Sequence, residues 1–544
     1  MKGIRGSVVA VVSLGIAGLV AHTAAQSTAP GALQVRQVAY LKASNPQAAD
    51  HFGCGGGLDG HAGAGVALSG DGTTMAVGSP HEGSGAKGIN GNQNDNTVDG
   101  SGAVYVFTRT NAGAWSQQAY VKPSNPRMIA EFGHAVVLSA DGNTMVVSAF
   151  WEPSKSTGVN GDQEDESIPQ AGAAYVFTRR GTTWTQQAYL KASNTGEAGT
   201  ADTFADGDQF GFSITVSDDG NTVAIGAHSE DSNGVNDNPR DNSMQLAGAV
   251  YVFNRTGTNW AQTAFLKATN PDGGDMFGYA VSLTADGRML AIGSFDEDGS
   301  ARGINGPVDN ARGGSGAVYI YVKGSAGLWT QQAYIHPHNS EGGDSFGTNV
   351  ILSDDGTTLL VASLDEDCMA TGVNPAEPCD NDRTADVSTG AAYVFVRSGS
   401  TWTQQAFIKS SNTGANDWFG TRLTLSGDGN TAAIGASLED SKSQGINGNQ
   451  QGNDAIESGA VYLFHRVGTT WTQQAFIKGS NADAYDQIGG AVALTRDGRL
   501  MAAAALGEDS AATGVNGNQN DNSADEAGAV YVFAVTAGSA LSSN

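Results

Sequence analysis

The chain has 544 residues, with 55 acidic against 28 basic side chains and a formal net charge of −27. That balance excludes a nucleic-acid binder, because phosphate partners demand a basic footprint. Three cysteines exclude a disulfide-dense scaffold, and 76 glycines with only 15% charged residues point to many turns and short strands.

In chain order, the first element is a targeting segment. Lys2 and Arg5 precede an apolar, small-residue run over 7–20, and Thr23-Ala24-Ala25 offers a cleavage site before Gln26. This pattern predicts a signal peptide over 1–25, too short for a typical membrane span, followed by a short linker over 26–32. No later stretch has the length and apolarity of a span. The mature chain is expected to be secreted, periplasmic or on the cell surface.

From residue 33 to 535 one unit recurs seven times. Ala-Val-Tyr-Val-Phe at 103–107 returns, with small changes, at 173–177, 249–253, 317–321, 391–395, 460–464 and 529–533. An aromatic-Gly pair opens each unit, from Phe52-Gly53 to Phe419-Gly420, with Ile488-Gly489 in the seventh. An Asp-Gly turn follows each pair, as at Asp71, Asp141 and Asp286. Unit four shows the predicted strands: Tyr279 to Thr284, Met289 to Ser294, Gly316 to Val322 and Trp329 to Ile335. Asp-Gly joins the first two and a connector of roughly 20 residues joins the second to the third. The composition is β throughout, rich in Val, Ile, Thr and aromatics.

The chain opens on a lone strand four, Val35 to Leu41, and its last unit ends on strand three, Ala529 to Phe533. The fold class follows: all-β, a seven-bladed β-propeller of four-stranded antiparallel blades, the ring closed by the N-terminal strand joining the last blade. Residues 536–544 form a C-terminal tail.

The Phe-Gly pairs, followed by Gly78-Ser79-Pro80 or Gly226-Ala227-His228 at the end of strand two, resemble the FG-GAP repeat. That repeat builds the seven-bladed propeller of integrin α-subunits and of many exported bacterial proteins, and the resemblance covers about residues 33–535. It implies a calcium loop, Asp-x-Asp-x-Asp-Gly, between strands one and two. This sequence holds only a short Ser-x-Asp-Gly hairpin there, such as Ser139-Ala140-Asp141-Gly142.

An antiparallel meander sends the one-to-two and three-to-four turns to one face and the long connectors to the other. Nine of the 55 acids lie on the hairpin face, leaving 46 for the connector face, with six Lys closing strand four nearby. Every strand two ends on a Glu, and every long connector carries Gly-[Ile/Val]-Asn with an Asp shortly after. Glu, Asp, Asn and loop carbonyls are the hard oxygen ligands that calcium takes. The candidate ligands are Glu230, Asp231, Asn236 and Asp241 in unit three, Glu439, Asp440, Asn447 and Asp454 in unit six, and Glu508, Asp509, Asn516 and Asp521 in unit seven. The alternative is turn chemistry, with Asp and Asn bonding loop backbone and Gly-[Ile/Val]-Asn plugging the connector onto the blade.

Recurring residues, such as Trp184 (Trp in six units, Val35 in the seventh) and Tyr105, are expected to build the ring, so a unique site belongs where the units differ. Unit one inserts Cys54 to Gly63, which gathers His51, His61, His81, Cys54 and Asp59; a transition-metal site and a plain surface insert both fit. A second insert, Glu197 to Gly207, reads as a longer loop. Cys368 and Cys379, both in unit five's connector, are candidate disulfide partners in an exported protein. No Gly-x-Ser-x-Gly or His-Glu-x-x-His motif is present. The expected role is non-catalytic binding or adhesion by a monomer, with a protein or glycan ligand on the acidic face. The alternatives are an exported hydrolase or lyase with its site at the central opening, and a secreted structural protein.

Overall fold

A computed structural model describes residues 32–55, 64–196, 207–234, 242–376, 379 and 387–538. Residues 1–25, read as a signal peptide, together with Asp59 and His61, Asn236, Asp241 and most of the second insert lie outside the described residues. Seven four-stranded antiparallel sheets are present, each in the simple order one-two-three-four. In the last, strands Ile488–Leu494, Leu500–Ala505 and Ala529–Ala537 are completed by the chain's first strand, Leu33–Leu41. Leu41 pairs with Val530, Tyr40 with Tyr531 and Leu33 with Ala537. One blade thus joins both ends of the propeller, and the ring keeps no open edge there.

The strands of unit four run Ala280–Leu283, Met289–Ser294, Ala317–Lys323 and Trp329–Ile335, each within a residue of the sequence reading at both ends. First strands of adjoining blades pack on one another around the axis. Strand two is buried at every position in all seven blades, because neighbouring blades cover both its faces. It therefore reads as a nearly continuous apolar run. Strand four is the outer strand and alternates over its first half, with Trp184 buried between exposed Thr183 and Thr185.

The aromatic-Gly pair seats one blade on the next. Phe132 packs edge-on against Tyr175 and Phe177 of its own strand three. Gly133 then turns at φ 103°, where a Cβ would stand 2.5 Å from the carbonyl oxygen of Ala103 in the preceding blade. Only glycine allows that approach. Farther out, Trp184 Nε1 donates to Gln118 Oε1 of the previous blade at 3.0 Å, and Arg179 lies over the indole ring. Trp260 and Trp471 repeat both contacts.

Candidate functional site

The connector face is built from a motif that the spacing of acids alone does not reveal. Strand four ends on Lys, two residues before a Ser/Thr/His-Asn pair, as in Lys42-Ala43-Ser44-Asn45, Lys122-Pro123-Ser124-Asn125 and Lys478-Gly479-Ser480-Asn481. In blade one, Lys122 Nζ donates to Glu82 Oε2 at 2.9 Å, and both side chains are buried. Ser84 N donates to the same oxygen, Asn45 Nδ2 donates to Oε1, and Tyr105 OH donates to Asn45 Oδ1. The lysine is the cation that the strand-two Glu requires.

The calcium candidates are placed within this framework. Glu230 meets Lys267 at 2.8 Å, Glu439 meets Lys478 at 2.8 Å and Glu508 meets Lys42 at 2.9 Å. Asp231, Asp440 and Asp509 each accept a backbone N–H from the far end of their own connector, at Leu246, Glu457 and Glu526. Asn447 and Asn516 sit at φ 55° and 54° and clip the connector to strand four. Asn447 exchanges two bonds with the backbone of Phe476, and Asn516 does the same with Tyr40. Asp454 is exposed and Asp521 half-buried. Among the described residues no group of three or more His, Cys, Asp or Glu side chains is placed to hold a metal ion. The missed signal was the recurring Lys and Asn, which carry no ligand signature of their own.

In six of the seven units one aspartate shares this buried space. Burial, and after it the charge of Glu82, pushes Asp50 up to about 7; burial and Glu366 push Asp344 to about 8. Asp417 and Asp486 are raised in the same way, to about 7 and about 8. Two carboxyls and one ammonium lie together, so a proton on the Asp leaves the group neutral.

The two ends of the axis differ. At the hairpin face the one-to-two turns bond in series: Gly70 N to Ala140 O, Ala140 N to Asp218 O, Asp218 N to Ala285 O, Ala285 N to Asp354 O, Asp354 N to Gly427 O and Gly427 N to Arg496 O. Arg496 reaches Asp218 and Asp354 with its guanidinium. Hydrogen-bonded turns and an ion-paired arginine therefore gather at this end. The Asp of each Ser-x-Asp-Gly turn is likewise occupied: Asp141 accepts from Ser139 Oγ and Asn143 N.

At the connector face the blades diverge. The residue after the aromatic-Gly pair is Cys54, His134, Phe212, Tyr279, Thr348, Thr421 and Gly490 in turn. The second residue before the strand-two Glu is Pro80, Phe150, His228, Phe295, Leu364, Ser437 and Leu506. Blades two to four thereby assemble an aromatic cluster, with His134 on Phe150 at 4.1 Å, His228 on Phe212 at 4.1 Å and Tyr279 on Phe295 at 4.3 Å between ring centres. Trp151 and Phe295 are its half-buried rim, and half-buried Asp296 stands beside them. Arg422 of blade six is buried and donates to Thr421 O and to Gly55 O of blade one. Burial lowers it to about 10, which keeps it charged at neutral pH.

A pocket of about 450 Å³ opens beside the cluster, lined by Asp50, His81, Asp99, Ile129 and Glu131 among others. Glu131 lies 3.7 Å from His81 Nε2 and 4.0 Å from His134 Nδ1, and so links the pocket to the cluster. Its carboxylate raises the His81 pKa. His51 and His81 meet edge to face at 4.7 Å. Cys54 is buried, and Cys368 and Cys379 are joined by a disulfide.

Residues 402–464 match the FG-GAP repeat. That match and the seven like blades in a ring fit an FG-GAP, integrin-like propeller. No curated protein sequence matches the chain. Among solved structures, the periplasmic gluconolactonase PpgL of Pseudomonas aeruginosa is similar at 12% identity and a TM-score of 0.43, over 83% of this chain and 98% of that chain.

Proposed function

We propose that this propeller is an exported, non-catalytic binding protein whose ligand docks at the axial mouth of the connector face. The observation that carries the reading is the divergence of the blades at that mouth. Positions repeated in every blade are consumed by the ring, whereas blades one to four present aromatic rings, imidazoles and carboxylates of unequal identity. Loops on a rigid scaffold are where binding residues collect. Rings flanked by carboxylates suit a glycan, whose C–H faces pack on aromatics while its hydroxyls bond acids. Export is supported by the basic and apolar N-terminal run and by the disulfide between Cys368 and Cys379. The reading needs no cation on the strand-two glutamates named as calcium candidates, because each of them holds a lysine.

The test is a glycan array and a pull-down from the protein's own surroundings, comparing the wild type with Trp151→Ala. A ligand held at least tenfold more weakly by the variant, with an unchanged melting temperature, is the expected result. Equal binding by both proteins would overturn the placement of the site. A hydrolase or lyase is the second reading, favoured by the meeting of His134, His228, Tyr279 and Arg422 at one mouth. It ranks second because both imidazoles are buried and packed, tilted, against phenylalanine rings. Mass spectrometry of the captured ligand after incubation separates the two, since only an enzyme changes its mass.

A further inference from the structure

The pocket beside the aromatic cluster lies where the connector of blade one meets the entry of blade two, and its volume of about 450 Å³ is that of a small-ligand site. Its wall carries the carboxyls of Asp50, Asp99 and Glu131 with the imidazole of His81, and none of the described residues lining it is a lysine or an arginine. The cations around it are committed elsewhere. Lys122, whose charge reaches Asp50, donates to Glu82 and Ser101. Arg127 of blade two lies 2.9 Å from Glu164 and 2.9 Å from Glu166, in the connector of its own blade. Gln47 holds Arg127's place in blade one, so the corresponding connector receives no guanidinium.

Two of the carboxyls keep oxygen atoms free. Asp50 is only 4% exposed; its Oδ2 accepts Gln47 N at 2.9 Å, and among the described residues no donor meets Oδ1. Asp99 is exposed, and its carboxylate accepts no hydrogen bond among the described residues. A carboxyl buried as deeply as Asp50 without a cation of its own holds a proton or awaits a positive guest. The rim of the pocket is apolar. Ile129 is 47% exposed at φ 57°, and Met128 beside it is 66% exposed. Gly274, Gly343 and Asn416 hold Ile129's place in blades four to six, as left-handed backbone favours. A β-branched residue there is strained, and an exposed side chain gains no core packing in return.

Acid walls, an apolar lip and no resident cation together define the guest. Resting on the reading of the connector-face mouth as a glycan site, we propose that this pocket takes the protonated amino group of an amino sugar. The carboxyls of Asp50, Asp99 and Glu131 surround the ammonium, Ile129 packs on the sugar's C–H face, and neighbouring units run onto the aromatic rim at Trp151. An N-acetyl group removes the charge that the carboxyls complement, and an acidic sugar is repelled by them.

Calorimetric titration of the full chain with a glucosamine tetramer and with its N-acetylated counterpart, at about pH 6 where the amines carry protons, tests the proposal. The free amine is expected to bind at least about tenfold more tightly. Asp99→Asn, at an exposed position, and Glu131→Gln should each cut that preference about threefold, whereas Trp151→Ala should weaken both oligomers alike. Equal binding of the two oligomers by wild type, with Trp151→Ala weakening both, would overturn the amine pocket and leave the glycan reading standing. A preference that survives undiminished in both Asp99→Asn and Glu131→Gln would overturn it too, because it would then be the general attraction of a chain of charge −27 for any cation. Binding of neither oligomer would overturn the amino sugar as the ligand.

Discussion

The most consequential single contact is the lysine on the strand-two glutamate, seen in blades one, two, three, six and seven, and it is a contact between residues that serve the fold. Lys122 and Glu82 are both buried, so removing one partner leaves an uncompensated charge inside the protein. Lys122→Met is expected to cost about 3–5 kcal/mol, and adding Glu82→Gln should recover much of that loss, since the pair rather than either charge is tolerated. Urea unfolding of the two variants measures the difference. A Lys122→Met protein as stable as wild type would mean that another group balances Glu82. The sequence shows the Glu in all seven units and the Lys in six of them. A cation for the strand-two glutamate stands at the end of strand four in the same blade. No periodicity signals that partnership, because Glu82 and Lys122 are brought together only when strands three and four fold back.

At the scale of elements, the strands were legible and the connectors only partly so. Strand two announces itself as an apolar run because both its faces are covered, and strand four announces itself by alternation. Gly-[Ile/Val]-Asn was legible as a plug, and the structure gives its mechanism. The Asn takes a left-handed conformation and pairs with strand four through both its backbone and its amide oxygen, while the preceding apolar residue forms a one-residue bridge, Ile446 to Ile477. Asn447→Gly keeps the conformation and loses the side-chain bond, an expected cost of about 1 kcal/mol. Asn447→Ala loses the bond and adds left-handed strain, for a further 1–2 kcal/mol or about that. Chemical denaturation should rank the three proteins in that order; an alanine variant no worse than the glycine one would remove strain from the account. The axial mouth was legible only as a principle, that sites lie where units differ. The cluster of Phe150, Phe212, Tyr279 and Phe295 joins residues from three blades that no local pattern connects.

For the whole molecule, the formal charge of −27 counts every acid as ionised, and the fold does not. Asp50 and Asp417 are held up to about 7, and Asp344 and Asp486 to about 8, chiefly by burial. Their folded values lie above the ordinary carboxylate value of 3.8, so the native protein keeps protons that the unfolded chain releases. Stability must then fall as pH rises through that window. Two buried imidazoles act in the opposite sense: His51 and His336 are lowered to about 4 from 6.5, which makes stability rise with pH below 6.5. The lysines are lowered from 10.5 by burial, and their contribution has the opposing sign. Between about pH 6.5 and 8 the aspartates dominate, joined by His81, whose raised pKa gives a contribution of the same sign. The melting temperature is therefore expected to drop as pH is raised across that interval. Asp50→Asn removes one of the titrating groups while keeping an oxygen for Gln47 N, the bond that Asp50 Oδ2 now accepts. It should match wild type below about pH 4 and gain on it steadily as pH rises from about 4 to about 7. A melting temperature that climbs from pH 6.5 to 8, or an Asp50→Asn advantage independent of pH, would show that the buried aspartates are ionised and that another cation balances them.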